Sequence, residues 1–177
     1  SDGVVYTGRL AEFCQRTVEA VGPEALAIKL NWAFFLRWGS AGLKVYEKIW
    51  RYIHEAFPEV VLIPDFKAGD ISKSNIGYTH MAFDECLADA VTISPYLGQE
   101  ANNPFLSVPE QGVIVLCRTS NPGSGEIQNR LVVLSENELK FMSTTPTQPW
   151  IEYIPGTWVQ VLPMYRLVAH NVRHHWN

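Results

Sequence analysis

The sequence is poor in cysteine, in net charge and in long apolar runs, and each shortage argues against a class of protein. The 177 residues include only three cysteines, Cys14, Cys86 and Cys117, which lie far apart and form no CxxC pair. They fit reduced thiols better than a disulfide framework. The net charge is −4, and no basic stripe is available to neutralise phosphates, so we expect no nucleic-acid partner.

Signals for membrane insertion and secretion are also lacking. No apolar run approaches the length that spans a bilayer, and the first residues contain neither a basic region nor an apolar leader segment. We therefore expect no membrane partner and a cytoplasmic location. Hydrophobic residues make up 47% of the chain, which is enough for one well-buried core, so we predict a single domain over residues 1–177.

The sequence does contain a repeated pattern of a buried strand, a polar turn and a helix. The predicted strands cover residues 25–29, 60–65, 89–94 and 112–117. No hairpin separates them, which is typical of parallel βα units, so we predict an α/β fold. The carboxyl ends of parallel strands lie at one side of the sheet, where such folds bind their ligands.

The pattern changes after residue 128. Residues 130–134 and 138–142 flank Ser135-Glu136-Asn137 and predict a hairpin, and residues 144–156, rich in proline and threonine, predict a loop. We treat residues 129–160 as an inserted hairpin and loop within the domain. A final helix is predicted from Pro163 to about His174.

Charged residues cluster where the first two predicted strands end. Asp65 and Lys67 are two apart and project to the same face of a strand, while Asp70 follows at a glycine turn and Lys29 ends the strand before. If they share a pocket, neighbouring opposite charges keep one another ionised. Two interpretations stay open: an ammonium acid placed beside a carboxylate for catalysis, or an ordinary ion-pair network at the rim of the sheet.

Three other groups of residues are weaker candidates for a functional site. The loop 119–125 could hold a phosphate or a heterocycle through backbone N–H groups, but it lacks the GK[ST] ending of a P-loop. His170 and His174 could clamp a metal from one helix, yet no third ligand has suitable spacing, so we predict no metal site. The aromatic residues after Lys29 could line a dry pocket or pack in the core: Trp32, Phe34 and Phe35.

Four blocks of sequence follow the predicted strands in a distinctive order. They are Lys29-x-Asn31-x-Ala33-Phe34-Phe35 with Gly39-x-x-Gly42, then Asp65-Phe66-Lys67-Ala68-Gly69-Asp70-Ile71, then Ala88-Asp89-Ala90-Val91-Thr92 with Pro95-Tyr96-Leu97-Gly98, and finally Val115-Leu116-Cys117-Arg118-Thr119-Ser120-Asn121-Pro122-Gly123-Ser124. In this order the blocks resemble the orotidine 5′-phosphate decarboxylases, specifically their longer bacterial subfamily.

The resemblance implies a (β/α)₈ barrel of the TIM type that converts orotidine 5′-monophosphate to uridine 5′-monophosphate in de novo pyrimidine biosynthesis, without a cofactor. By position, Lys67 would donate a proton to the ring carbon that loses its carboxylate. Asp65 would lie against that carboxylate, and Lys29 would hold Asp65. Asp70 would reach into the partner's site across the interface of a homodimer.

The resemblance also implies four substrate-binding residues: Asn31, Ser74, Ser120 and Pro122. Ser120 would form a hydrogen bond with the pyrimidine. A complete barrel needs about 250 residues, whereas about four βα units are recognisable here. We therefore expect an incomplete barrel that forms part of a longer protein. The isolated chain is expected to bind substrate poorly, because remote phosphate contacts supply much of the binding energy used at the reacting centre.

Two alternatives remain open at this point. The family commonly has Ala where Phe66 stands, Arg where Ala68 stands and Thr where Ser74 stands. Phe66, Ala68 and the predicted inserted hairpin favour a non-catalytic relative that serves as a binding or assembly module. A third interpretation is a sugar-phosphate lyase or synthase of the same superfamily, which would require a divalent metal.

Overall fold

The computed structural model describes residues 2–144 and 152–176, with side chains for residues 7–143 and 153–176. It divides the chain into two compact units, Ser1–Val115 and Leu116–Asn177. The single domain over residues 1–177 stays a prediction.

The first unit alternates helices and strands as the sequence predicts. In chain order its elements are α1 (Asp2–Val21), a 3₁₀ turn (Gly22–Glu24), β1 (Ala27–Asn31), α2 (Ala33–Leu36), α3 (Gly39–Ala56), β2 (Val61–Asp65), α4 (Ser72–His80), a π-helical turn (Met81–Glu85), β3 (Ala90–Ile93), α5 (Gly98–Leu106) and β4 (Gly112–Val115).

The four strands of this unit are parallel neighbours. β1 pairs with β2 in the register Ile28 opposite Leu62, and β3 pairs with β4 in the register Val91 opposite Val113. Between these pairs, the Asp89 N–H donates to the Leu62 carbonyl at 3.0 Å. The predicted parallel βα arrangement is therefore confirmed, and all four strands end on one side of the sheet.

Helix α3 packs its apolar stripe on the sheet because its large side chains recur every three or four residues. Tyr46, Ile49, Trp50 and Ile53 are each at most 1% exposed. The Tyr46 ring lies 4.9 Å from that of Phe35, and its hydroxyl donates to the Leu30 carbonyl at 3.3 Å. This packing fixes the carboxyl end of β1 against the helix that follows it.

In its described residues, the second unit consists of a polar loop, three short antiparallel strands and three helices. Its elements are a 3₁₀ turn (Pro122–Ser124), α6 (Gly125–Gln128), β5 (Leu131–Val133), α7 (Glu136–Thr144), β6 (Glu152–Tyr153), β7 (Gln160–Pro163) and α8 (Met164–His174). The strand order is β5-β7-β6. Helix α8 confirms the final predicted helix.

The predicted hairpin after residue 128 is wrong in its second half, because residues 136–144 form α7. A capping box explains the difference. The Ser135 hydroxyl accepts from the Glu138 N–H at 3.3 Å, and a Glu138 carboxylate oxygen accepts from the Ser135 N–H at 2.7 Å. The hydrogen bonds from Ser135 hold the pKa of Glu138 below its usual value. β5 instead pairs with β7, in the register Val132 opposite Leu162.

The core of the second unit lies between α7, α8 and this sheet. Its buried residues are Leu134, Met142, Leu162 and Leu167, with Val132 and Leu139 packed against them. Within the predicted loop 144–156, residues 145–151 lie outside the described part of the chain, and Glu152–Tyr153 forms β6.

Two further findings concern the cysteines and the membrane-spanning segments that the sequence analysis considered. Cys14 and Cys86 are buried and Cys117 is half-buried, and that the three are reduced thiols stays a prediction. Among the residues that the structure describes, no helix is both long and apolar enough to cross a membrane.

Candidate active site

Three of the predicted charged residues meet at the carboxyl ends of β1 and β2. Asp65 ends β2 and is 6% exposed, while the side chains of Lys29 and Lys67 are 54% and 46% exposed. The same carboxylate oxygen, Oδ2, lies 2.6 Å from the Lys67 ammonium and 3.8 Å from that of Lys29. A buried carboxylate thus holds two ammonium groups that remain open to solvent and to a ligand.

Thr92 of β3 binds the other oxygen of this carboxylate. Its hydroxyl donates to Asp65 Oδ1 at 2.7 Å and accepts from the Lys67 N–H at 2.9 Å. Thr92 is 3% exposed. Both oxygens of Asp65 therefore have partners, as a buried charge requires.

Lys67 has a left-handed backbone conformation, with φ of +50°. This conformation costs a residue other than glycine about 1–2 kcal/mol. The following residue is bonded on both sides to β3: Ala68 N–H donates to the Thr92 carbonyl at 3.2 Å, and Ser94 N–H donates to the Ala68 carbonyl at 2.6 Å. At Gly69 a Cβ atom would lie 2.8 Å from the Cβ of Ser94, so the close approach requires glycine.

Opposing effects act on the pKa of Asp65. Burial is the largest and raises it, but the hydrogen bonds from Lys67 and Thr92, together with the positive charges of Lys67 and Lys29, outweigh burial and lower the pKa below 3.8. Asp65 is therefore ionised at neutral pH. A fixed ammonium beside a fixed carboxylate can donate a proton and can stabilise negative charge that develops on a ligand.

Asp65 should make the protein's stability depend on pH under acidic conditions. Because its pKa is lower in the folded state than in the unfolded state, its stabilising contribution is present above about pH 5 and is lost as the pH falls through the folded pKa. We expect the free energy of unfolding of Asp65→Asn, measured with urea between pH 6 and pH 2, to fall less than that of the wild type. Parallel curves for the two proteins would contradict this expectation.

Asp70 lies outside this ion-pair network. Within the described part of the chain it forms no salt bridge, and its carboxylate accepts from the Ile71 N–H at 2.7 Å. The buried side chain of Asn75 holds its backbone, donating to the Asp70 carbonyl at 2.8 Å and to that of Ala101 at 2.7 Å. Among the described residues, the charged side chains that meet are therefore Lys29, Asp65 and Lys67. Asp70 is exposed, and its role in a partner's site stays a prediction.

Two of the predicted substrate-binding residues lie near these strand ends. Asn31 is the last residue of β1, opposite Asp65 in the register, and its side-chain oxygen accepts from the Ala33 N–H at 3.0 Å. Ser74 is exposed in the first turn of α4. Their roles stay predictions.

The aromatic residues after Lys29 divide between core and surface. Phe35 is 4% exposed and belongs to the core, whereas Phe34 is 69% exposed. The Trp32 ring lies 4.7 Å from that of Phe66 and 6.0 Å from that of Tyr78. Phe66 thus fills an aromatic cluster on the strand face opposite Asp65.

Ser120 and Pro122 lie in the second unit, in a loop held by side-chain hydrogen bonds. Arg118 donates to the Thr119 carbonyl and to the Ser124 hydroxyl. The Gln128 side chain accepts from the Thr119 N–H at 2.8 Å and donates to its hydroxyl at 2.8 Å. These bonds give the loop a defined shape in which Ser120 and Pro122 are exposed.

The histidines of α8 pack against an aromatic ring. His170 is 6% exposed, 4.6 Å from the ring of His174 and 5.5 Å from that of Phe141. Burial, assisted by the charges of His174 and His175, lowers the pKa of His170. In residues 2–144 and 152–176 there is no group of three or more side chains placed to hold a metal ion.

Comparison with known proteins identifies the family. The family described as orotidine 5′-phosphate decarboxylase / HUMPS matches residues 9–141. The chain belongs to this family. The sequence resemblance and the predicted barrel class are thereby confirmed. The first unit contains two pairs of parallel strands, β1 with β2 and β3 with β4.

Individual relatives show how much of a full-length protein the chain spans. The orotidine 5′-phosphate decarboxylase of Cupriavidus taiwanensis is 35% identical over 170 residues, which cover 96% of this chain and 52% of that protein. The structure of the Leishmania donovani OMP decarboxylase matches with a TM-score of 0.73 at 27% identity, covering 97% of this chain and 56% of that one. The structure of the Leishmania donovani UMP synthase matches with a TM-score of 0.74 at 27% identity, and the match covers 97% of this chain and 32% of that one. The chain thus spans about half the length of the curated relatives it matches.

Sequence reasoning missed Thr92 and Asn75 as members of this region. Thr92 is one of several β-branched residues in a buried strand, and only the placement of β2 beside β3 gives its hydroxyl two partners. Asn75 could have been noticed because it belongs to the polar turn Ser72-Lys73-Ser74-Asn75. A polar turn is usually exposed, however, so the sequence did not predict that Asn75 is completely buried.

Proposed function

We propose that the protein of which this chain is a part decarboxylates orotidine 5′-monophosphate to uridine 5′-monophosphate, without a cofactor and with Lys67 as the proton donor. The observation that supports this most directly is the Lys67 ammonium, 2.6 Å from the buried Asp65 carboxylate at the carboxyl end of β2. Membership of the decarboxylase family, with its motif spacing intact at Lys29, Asp65, Lys67 and Asp70, supports the same substrate.

The proposed step has a simple charge balance. The bond between the ring carbon and the carboxylate breaks, carbon dioxide leaves, and the electron pair stays on the ring carbon. Lys67 gives that carbon a proton and becomes a neutral amine, which solvent then protonates again. A fixed ammonium stabilises charge concentrated on one carbon more than charge spread over a carboxylate, so it favours the transition state over the bound substrate.

Asp65 and Lys29 complete the proposed site. Because Thr92 and the lysines hold Asp65 ionised, its charge would repel a substrate carboxylate placed against it, and departure of carbon dioxide would relieve this repulsion. Lys29 would balance the buried charge when Lys67 gives up its proton. Asn31, Ser74, Ser120 and Pro122 belong to the proposal as substrate contacts.

A homodimer with shared sites is the proposed assembly. Asp70 is exposed and forms no salt bridge within the described residues, as expected of a carboxylate that acts in a partner's site. A cytosolic location, supported by the wide spacing of the three cysteines along the sequence, belongs to the same proposal.

The non-catalytic alternative is weakened by the positions of the two residues that motivated it. Phe66 and Ala68 are 8% and 4% exposed and alternate with Asp65 and Lys67 along the chain. Because these two side chains are buried, their difference from the residues that the family commonly has affects the packing of the core. It leaves the Lys67 ammonium and the Asp65 carboxylate in place.

Turnover by the full-length protein tests the proposal. We expect release of carbon dioxide from orotidine 5′-monophosphate at an unchanged rate in excess chelator. Light scattering should give a particle mass twice that of one full-length subunit. Loss of activity in chelator would instead support the metal-dependent lyase or synthase, and absence of turnover with retained ligand binding would support the non-catalytic relative. A monomeric mass would exclude the shared sites.

A further inference from the structure

Thr92 lies outside the sequence block that contains Asp65, Lys67 and Asp70, but its side chain contacts both Asp65 and Lys67. The Thr92 hydroxyl lies 2.7 Å from Asp65 Oδ1 and 2.9 Å from the backbone nitrogen of Lys67. These two residues flank the point where β2 ends and the chain turns into its left-handed residue. The hydroxyl is therefore placed to control the carboxylate and the lysine together.

The direction of these hydrogen bonds follows from chemistry. A hydroxyl group has one proton. Because a lone pair of the Thr92 oxygen accepts from the Lys67 N–H, which can only donate, the proton is free to point at Asp65 Oδ1. That oxygen accepts most strongly when the carboxylate is ionised. The arrangement thus selects the charged form of Asp65 and turns its other oxygen, Oδ2, toward the two ammonium groups.

We propose that Thr92 is a positioning residue of this site: its buried hydroxyl locks the Asp65 carboxylate and the Lys67 backbone into one geometry, so that the ammonium is aimed before substrate arrives. The kinetic part of this inference rests on the proposed decarboxylation. The structural part, a fixed carboxylate and a fixed left-handed lysine, holds for any reaction at the site.

The other charged and titratable groups around Asp65 do not replace this hydroxyl. Lys29 approaches from β1 and Lys67 from the strand end, and both contact only Oδ2. From α3 the neighbouring titratable group is Tyr46, whose pKa is raised chiefly by burial and slightly by Asp65, so it stays neutral. Thr92 is thus the side-chain donor to Oδ1 among the described residues.

The test compares two substitutions at residue 92 in the full-length protein. Thr92→Val keeps the shape of the side chain and removes the hydroxyl, whereas Thr92→Ser keeps the hydroxyl and removes a methyl group. Misplacement of a reacting group by about 1 Å costs roughly 100-fold in rate. We expect Thr92→Val to lower kcat by about 100-fold, with KM for orotidine 5′-monophosphate changed less than about threefold. We expect Thr92→Ser to retain kcat within about fivefold of the wild type.

A readout that needs no turnover separates this inference from the proposed function. Carboxyl-carbon NMR of the ligand-free protein, with Asp65→Asn to assign the signal, should show a higher pKa for Asp65 in Thr92→Val and a wild-type pKa in Thr92→Ser. If the wild type does not decarboxylate the substrate but these pKa changes occur, the proposed function fails and the positioning role stands. An unchanged Asp65 pKa in Thr92→Val, or a serine variant as impaired as the valine variant, would overturn the positioning role.

A matched control accounts for effects of the substitution itself. Thr17→Val removes a hydroxyl that donates to the Phe13 carbonyl within α1, and it should leave kcat and the Asp65 pKa unchanged. Thermal unfolding of each variant checks the fold. If Thr92→Val does not fold, the smaller Thr92→Ala takes its place and the same outcomes decide.

Discussion

Replacing Lys67 with alanine should lower kcat of the full-length protein by about 10⁴-fold or more. The substitution removes the proposed proton donor together with the charge that stabilises the carbanion, and each of these effects commonly contributes 10²–10⁴-fold. It also leaves the buried Asp65 carboxylate with Lys29, 3.8 Å away, as its described salt-bridge partner. Rate measurement with a carbon dioxide-release assay and unfolding by circular dichroism would separate lost chemistry from lost fold.

The control for this experiment is another lysine of the same unit. Lys48 is exposed on α3, and Lys48→Ala should keep kcat within about twofold because surface substitutions rarely disturb a fold. Unchanged turnover in a folded Lys67→Ala variant would refute the proposed mechanism. Equal losses in both variants would show that the effect is not specific to the site.

Gly42→Ala should destabilise the protein by about 3 kcal/mol or more, the upper range for forced overpacking. A Cβ atom at Gly42 would lie 2.0 Å from the carbonyl oxygen of Phe35 and 2.8 Å from the Cβ of Trp38. The first contact is with backbone, so α2 or α3 would have to move. Urea unfolding of the purified variant measures the loss, which should appear as a lower midpoint.

Gly77→Ala provides a matched comparison for Gly42→Ala. Gly77 is exposed within α4, and a Cβ atom there would have nothing within 4 Å. Alanine is favoured over glycine inside a helix by about 0.5–1 kcal/mol, so this variant should be slightly more stable than the wild type. Similar free energies of unfolding for the two variants would show that the α2–α3 contact is looser than the structure indicates.

Local patterns predicted the parallel βα units and the meeting of Asp65 with Lys67. The apolar run of residues 60–63 predicted β2, and the spacing of Asp65 and Lys67 predicted that their side chains lie together, which the distance of 2.6 Å confirms. The contact is made beyond the end of β2, through the left-handed backbone of Lys67 and not through a strand period. Asp70 was harder to place, because its position depends on the Asn75 side chain and not on a strand period.

The errors come from interactions between residues that are distant in sequence and from one overlooked local signal. Residues 138–142 alternate like a strand, but the capping box of Ser135 and Glu138 starts a helix there. β5 finds its partner only at residues 160–163, so local periodicity could not give this pairing. Thr92 was overlooked for the same reason, since its role arises only when β3 lies beside the end of β2.

The hydrogen bonds between Lys67, Ala68 and β3 have a consequence for protein engineering. The backbone groups of Lys67 and Ala68 in this turn form hydrogen bonds with Thr92 of β3 and with Ser94, the residue after that strand. If residues 65–70 are transferred to another protein as an isolated loop, we therefore expect the Lys67 side chain to be poorly ordered. A successful graft would have to include both strands with Ala68 opposite Ile93, and would have to keep glycine at residue 69.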